Sequence, residues 1–177
     1  MLSVAAIALL QTATAADVEF HVEATSQIMP ETVALDLRGR VDGEKDAYIT
    51  TVARIDPTGT WIGRAGIGVD LFGGKDGIDL KVGLFLGGTG DLTESSMIGR
   101  PTAGAELLFG VGIGRVYGWY RHTDGFAGPL EDRLTEDELR LGFHITDTVR
   151  VHGQYLIYNP GDQVLRGGAG AGVEFIF

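Results

Sequence analysis

No cysteine occurs in the 177 residues, which excludes a disulfide-stapled scaffold. Lysine and arginine are scarce, 14 against 24 aspartates and glutamates, for a formal net charge of −10. Nucleic-acid phosphates repel a surface of that sign, so nucleic acid is not an expected partner. No run reaches the ~18–20 apolar residues that a membrane-spanning helix needs, although 44% of the chain is hydrophobic. No Walker loop, dinucleotide fingerprint, zinc spacing or haem motif is present, so no cofactor and no metal centre is expected. Glycine is abundant, with 28 residues against 5 prolines.

The first 16 residues differ from the rest. Leu2 to Leu10 is a short apolar block, and Ala13-Thr14-Ala15 suits signal-peptidase cleavage before Ala16 or Asp17. Residues 1–16 are therefore expected to be a signal peptide and 17–177 a single domain. No Lys or Arg precedes Arg38, so the positive stretch that normally opens such a segment is missing and its start reads as incomplete.

From there on, apolar residues recur with period two between turn residues, the signature of strands with two unlike faces. Ten strands are expected, over 17–25, 32–40, 46–55, 61–72, 78–87, 100–109, 114–122, a hairpin either side of Thr146-Asp147-Thr148, and the C-terminal stretch. The fifth is the cleanest, with Ile78, Leu80, Val82, Leu84 and Leu86 against Asp79, Lys81, Gly83, Phe85 and Gly87. The seventh is ambiguous in register, because Tyr117 and Trp119 share a row with Arg115 and Arg121.

The last strand sets Ala169, Ala171, Val173, Phe175 and Phe177 against Gly168, Gly170, Gly172 and Glu174. The segment 170–177, a glycine followed by spaced apolar and aromatic residues, resembles the C-terminal assembly signal of bacterial outer-membrane β-barrels, with Gly172, Phe175 and Phe177 as its elements. The resemblance implies an all-β fold, a transmembrane antiparallel up-and-down barrel like the small OmpA/OmpX/OmpW-like proteins. Ten strands are expected, or eight if the first pair or the third strand stays out. It also implies a Gram-negative outer membrane as location, outer-membrane lipid and lipopolysaccharide as surroundings, and the barrel-assembly machinery as a partner through the C-terminal strand.

In that orientation the apolar row faces lipid and the polar row the lumen. Glycine concentrates on the polar row, which suits a crowded interior and only weakens a solvated exterior. That observation favours the membrane barrel over a soluble one with the apolar row inside. The lumen row carries Glu19, Glu23, Asp36, Asp70, Asp79, Glu106, Glu138 and Glu174 with Arg38, Arg54, Arg64, Lys81, Arg140 and Arg150, joined by His21, His144 and His152. Charges in a narrow interior must pair, so a cross-strand network is expected. His144 and His152 are expected to take part in ordinary lumen hydrogen bonding. Aromatics should gather where lipid meets water: Phe20, Phe109, Phe143, Phe175 and Phe177 near the periplasmic end, and Trp61, Tyr155 and Trp119 near the outer end. Short links are expected at 41–45, 73–77, 110–113 and 146–148, with long outer loops at 88–99 and 123–137. The outer loops hold ten acids, Glu136 and Asp137 among them, against Arg133 and Arg166. Divalent cations at these carboxylates, bridging to lipopolysaccharide, are one reading and a solvated surface the other.

A structural, envelope-stabilising or loop-presenting role is expected, with a narrow channel for small or apolar solutes as the alternative. Enzymatic function is not expected. His122 beside Asp124, with Ser95 and Ser96 in another loop, is the nearest approach to a catalytic set, and no spacing ties them together.

Overall fold

A computed structural model describes residues 19–28, 33–42, 47–55, 59–73, 77–92, 99–128, 132–161 and 165–176, with side chains from Ala47 onward except Arg166. The signal-peptide segment and Phe177 lie outside the described residues. The strands are β1 (Glu19–Ile28), β2 (Val33–Asp42), β3 (Ala47–Ile55), β4 (Thr60–Phe72), β5 (Gly77–Asp91), β6 (Arg100–Ile113), β7 (Val116–Ala127), β8 (Arg133–His144), β9 (Val149–Pro160) and β10 (Arg166–Ile176). Each pairs antiparallel with its neighbours in sequence, and β1 pairs with β10, so all ten enter one closed barrel. Among the described residues no helix is long and apolar enough to cross a membrane.

Period two holds along the strands whose side chains are described, broken at the register shift between Asp70 and Phe72 of β4. On β5, Leu84 and Leu86 are 65% and 71% exposed while Lys81 and Phe85 between the same rows are buried. On β8, Leu139, Leu141 and Phe143 point out while Glu136, Glu138 and Arg140 are enclosed. The apolar row thus covers the outside and the polar row fills the centre, the inverse of a soluble barrel. A chain that is greasy outside and charged inside gains nothing from that arrangement in water; acyl chains are the medium that fits it.

Glycine lets the wall close over large lumen side chains. A Cβ at Gly68 or Gly142 would overlap the ring of Tyr48 or Tyr117, and one at Gly83 would stand 2.7 Å from the Tyr48 hydroxyl. Tyr48 lies against Gly68 of β4 and Gly83 of β5, and Tyr117 against Gly142 of β8, covering backbone that would otherwise be bare.

Several boundaries differ from the sequence expectation. β6 runs through 110–113, and the turn is instead Gly114-Arg115, where Gly114 has φ 59°. A two-residue hairpin turn with positive φ at its first position is what glycine permits there. At the opposite end, which we call the far end, β5 continues to Asp91 and β7 and β8 occupy most of 123–137. The expected loop at 123–137 is therefore largely strand and that at 88–99 is shortened, leaving links at 92–99, 128–132 and 161–165. Tight bonds fasten these ends: Ala127 N–H donates to the Asp132 carbonyl at 2.8 Å and Gly128 N–H to that of Pro101 at 2.7 Å. Arg100 Nη1 donates to Asp132 Oδ2 at 2.9 Å and to the Gly161 carbonyl at 2.8 Å.

Candidate functional site

The lumen is occupied by an ion-pair network centred on two carboxylates of β8. Glu136 receives Arg54 of β3 at 3.0 Å, Arg64 of β4 at 3.1 Å, and Arg121 of β7. Glu138 receives Arg121 at 2.8 Å and Arg140 at 2.8 Å, and Arg140 also donates to Gln154 of β9 at 2.9 Å. Residues from five strands therefore meet at the axis. Four guanidiniums share two carboxylates, and aromatic faces absorb the excess positive charge. Arg54 lies over Tyr158 at 4.8 Å and Arg64 over Phe85 at 5.1 Å; Trp119 takes Arg140 at 4.3 Å and Arg121 at 5.7 Å.

The network is sealed from solvent. Arg54, Glu136, Glu138 and Arg140 are 0–2% exposed. Beside them, with Leu156 opposite Glu138, Tyr158 opposite Glu136 and Ile62 opposite Arg54, a buried apolar cluster joins Ile62, Leu156 and Tyr158. Toward the end that carries the termini the lumen loosens. There Lys81 bonds Asp70 at 2.5 Å and approaches Asp79 at 3.5 Å, and Arg150 faces Glu174 at 3.6 Å. The side chains of Asp79 and Arg150 are 26% and 22% exposed. Arg150 Nε donates to His144 Nδ1 at 3.2 Å, and the His144 ring meets Tyr117 edge-on. Glu106 accepts the Tyr48 hydroxyl at 3.2 Å.

Arg54, Arg64, Glu138 and Arg140 thus come together as the polar row implied, with Lys81, Asp70 and Asp79 as a second group and Arg150 with Glu174 as a third. For Glu19, Glu23, Asp36 and Arg38 the backbone register is described and the side chains are not. Glu23 stands opposite Arg38 on one side and Glu174 on the other, and Asp36 opposite Arg54.

Three sequence expectations are corrected. Glu136, counted with the outer-loop acids, is the centre of the lumen network. Arg121, left aside when the seventh strand was ambiguous, binds both central glutamates. Trp119, assigned to the outer girdle, stacks between Arg121 and Arg140 inside. The signal for the last two was the shared row of Tyr117, Trp119 and Arg121: a row with an arginine is a lumen row, and cation–π stacking lets its aromatics follow it inward. Of the other girdle residues, Phe109, Phe143 and Phe175 are exposed on the outside toward the terminal end, and Tyr155 is exposed midway along β9. Trp61 lies outside at the far end of β4, its ring across Gly88, Gly90 and Gly99. The Phe20 side chain and Phe177 are outside what is described, while Gly172 and Phe175 pair in register with Thr25 and Val22 of β1.

At the far end β7 and β8 form a ribbon whose outward residues turn polar past Tyr120 and Leu139. Asp124 is gripped by Arg133 through Nε at 3.0 Å and Nη2 at 2.8 Å. This bidentate contact holds the Asp124 carboxyl below the usual carboxylate range, against the smaller opposing effect of partial burial. His122 Nδ1 lies 2.8 Å from Asp137 Oδ1, which also accepts the Tyr120 hydroxyl at 2.5 Å. The nearest partner of His122 is thus Asp137 and not Asp124; Ser95 and Ser96 lie outside the described residues.

No family model matches the sequence, and no curated protein matches it. Among solved structures, a NanC porin in a rhombohedral crystal form superposes with a TM-score of 0.54 at 11% identity, covering 88% of this chain and 98% of that one. The likeness is one of fold.

Proposed function

We propose that this chain is an integral protein of the bacterial outer membrane with a structural role, bracing the envelope and holding its far-end ribbon in the surrounding medium. In this reading residues 1–16 are removed on export, β10 guides assembly, and the barrel is of the small OmpA/OmpX/OmpW-like kind. The observation that carries it is the closure of the lumen by Glu136 and Glu138 with their arginines at 0–6% exposure. An interior of about this strand number is just filled by side chains, and here they interlock from opposite walls. Incorporated into planar bilayers, the protein should be silent or show only rare, small events. Sustained conductance would replace this reading with the second.

The second reading is a narrow channel, supported by the looser terminal half of the lumen and by the porin likeness. Under it the Glu136 cluster is a gate, and Glu136→Gln would raise open probability from an already measurable level.

We assign no catalysis. His122 faces Asp137, whose same oxygen also accepts the Tyr120 hydroxyl. Expression of the protein should leave lipid A masses unchanged. Outward lipopolysaccharide contacts remain part of this reading. Cation bridging draws less support, since Asp124 and Asp132 are held by Arg133 and Arg100.

A further inference from the structure

Arg150 is divided between two partners at the terminal end of the lumen. Its Nε donates to His144 Nδ1 at 3.2 Å, while its Nη1 stands 3.6 Å from Glu174 Oε2, within ion-pair range and beyond a good hydrogen bond. The three residues lie on one register row, His144 of β8 opposite Arg150 of β9 and Arg150 opposite Glu174 of β10. The row continues across the closure of the barrel, where Glu174 stands opposite Glu23 of β1 and Glu23 opposite Arg38 of β2. The seam therefore sets acid opposite acid, which weakens a strand pair, with one arginine in register on either side.

The bond from Arg150 fixes the state of His144. A guanidinium can only donate, so Nδ1 holds a lone pair and the ring is neutral with its proton on Nε2. A proton added at Nδ1 removes the acceptor and sets a second cation beside Arg150. Glu174 is then the nearest acceptor, and the face of Tyr117, 5.3 Å from the guanidinium, supports Arg150 along the way. The same Tyr117 ring meets His144 edge-on at 5.3 Å. The other titratable or charged groups around His144 are Arg115 of β7, whose carbonyl accepts the His144 N–H, Asp147 in the turn that follows, and His152, the next inward residue of β9. On β1, His21 is two residues from Glu23 and opposite Ile176.

We propose that His144 is a proton-operated latch on the barrel seam. Neutral, it holds Arg150 back from Glu174; protonated, it releases the guanidinium to Glu174, which offsets the facing carboxylates and tightens the pairing of β1 with β10. Histidine suits this role because it changes charge between about pH 5 and 8, where the glutamates keep theirs. The latch requires only the closed barrel, whether its role is structural or that of a channel. Hydrogen exchange of the full barrel in detergent, read by mass spectrometry and corrected for the intrinsic rate, tests it at about pH 7.5 and about pH 5.0, either side of ordinary histidine titration and above that of carboxylates. In the wild type, amides of 22–28 and 169–176 should exchange about two- to fivefold more slowly at the lower pH, the scale of a part-exposed ion pair. His144→Gln offers Arg150 a neutral acceptor at any pH and should keep the faster exchange at both. His144→Lys carries its charge throughout and should show the slower exchange at both, and Glu174→Gln should remove the response. A wild-type seam indifferent to pH overturns the proposal, as does a response that survives in His144→Gln. If the variants do not fold, the nitrogen chemical shifts of His144 in the wild type decide: a neutral ring protonated on Nε2 at the higher pH that gains its second proton at the lower supports the latch, and a proton on Nδ1 at the higher pH refutes it.

Discussion

Arg64 of β4 and Glu136 of β8, 72 residues apart in the chain, meet across the barrel axis at 3.1 Å. Neither can be solvated where it lies, and Glu136 compensates Arg64 while also holding Arg54 and Arg121. Burial pulls against charge at such a site, and an ion pair that only offsets its own desolvation adds little net stability, yet its rupture is costly.

Glu136→Gln would leave Arg54, Arg64 and Arg121 facing one another without their shared anion. A loss of about 3–5 kcal/mol is expected, the range for removing one partner of a buried pair. Equilibrium urea unfolding from lipid vesicles measures it. Arg64→Met should cost less, because Arg54 and Arg121 still hold Glu136 and the methionine can lie on Phe85. A cost under about 1 kcal/mol for Glu136→Gln would mean that the network is not what closes the lumen.

The two tryptophans report opposite faces of the wall. In vesicles of lipids brominated along their chains, the Trp119→Phe variant, which retains Trp61 outside, should be quenched. The Trp61→Phe variant, which retains Trp119 between Arg121 and Arg140, should not. The reverse pattern would turn the barrel inside out.

Glycines packed against the lumen tyrosines should refuse a methyl group that an unobstructed outward glycine accepts. Gly142→Ala drives a Cβ into the Tyr117 ring and Gly83→Ala places one 2.7 Å from the Tyr48 hydroxyl, so each should cost about 1–3 kcal/mol through overpacking. At Gly153, on the outside, the nearest atom to a new Cβ is 3.9 Å away. Gly153→Ala should be neutral or slightly stabilising. Unfolding midpoints of the three variants compare directly.

Acid should loosen the far-end ribbon first. Arg133 depresses the Asp124 carboxyl in the folded state, so the stabilisation is present above the unfolded value of about 3.9 and is lost as pH falls through the lower folded value. Protease cleavage within 123–136 should rise between about pH 5 and pH 3. Asp124→Asn should show the higher cleavage already at the upper pH. A ribbon equally protected at both would show that the Arg133 contact contributes nothing there.

The barrel's faces could be read from the sequence wherever lipid and lumen impose opposite chemistry, as on β5 or the membrane half of β8. The contrast fails past Leu139. There the outward residues Asp137, Thr135 and Arg133 are as polar as the inward Glu136, so period two persists in space but vanishes from the hydropathy pattern. That is why a central lumen residue looked like part of a loop. On β7 the difficulty is the converse. Tyr117 and Trp119 are inward aromatics that arginines stack upon, and hydropathy alone assigns them to the outside. Lumen hydrophobes such as Ile62 and Leu156 were equally invisible, because they sit on the inward row in register with Arg54 and Glu138, where alternation alone assigns polar residues.

Pairing of β1 with β10 joins the two ends of the chain into a single seam. The ring therefore cannot be completed until β10 has been made and delivered. Until then both outer strands present unsatisfied backbone donors and acceptors, the surfaces on which extended chains recruit one another. Loss of even the final strand would leave a curled sheet with two sticky rims, and its fate would be aggregation and proteolysis in transit rather than a smaller barrel.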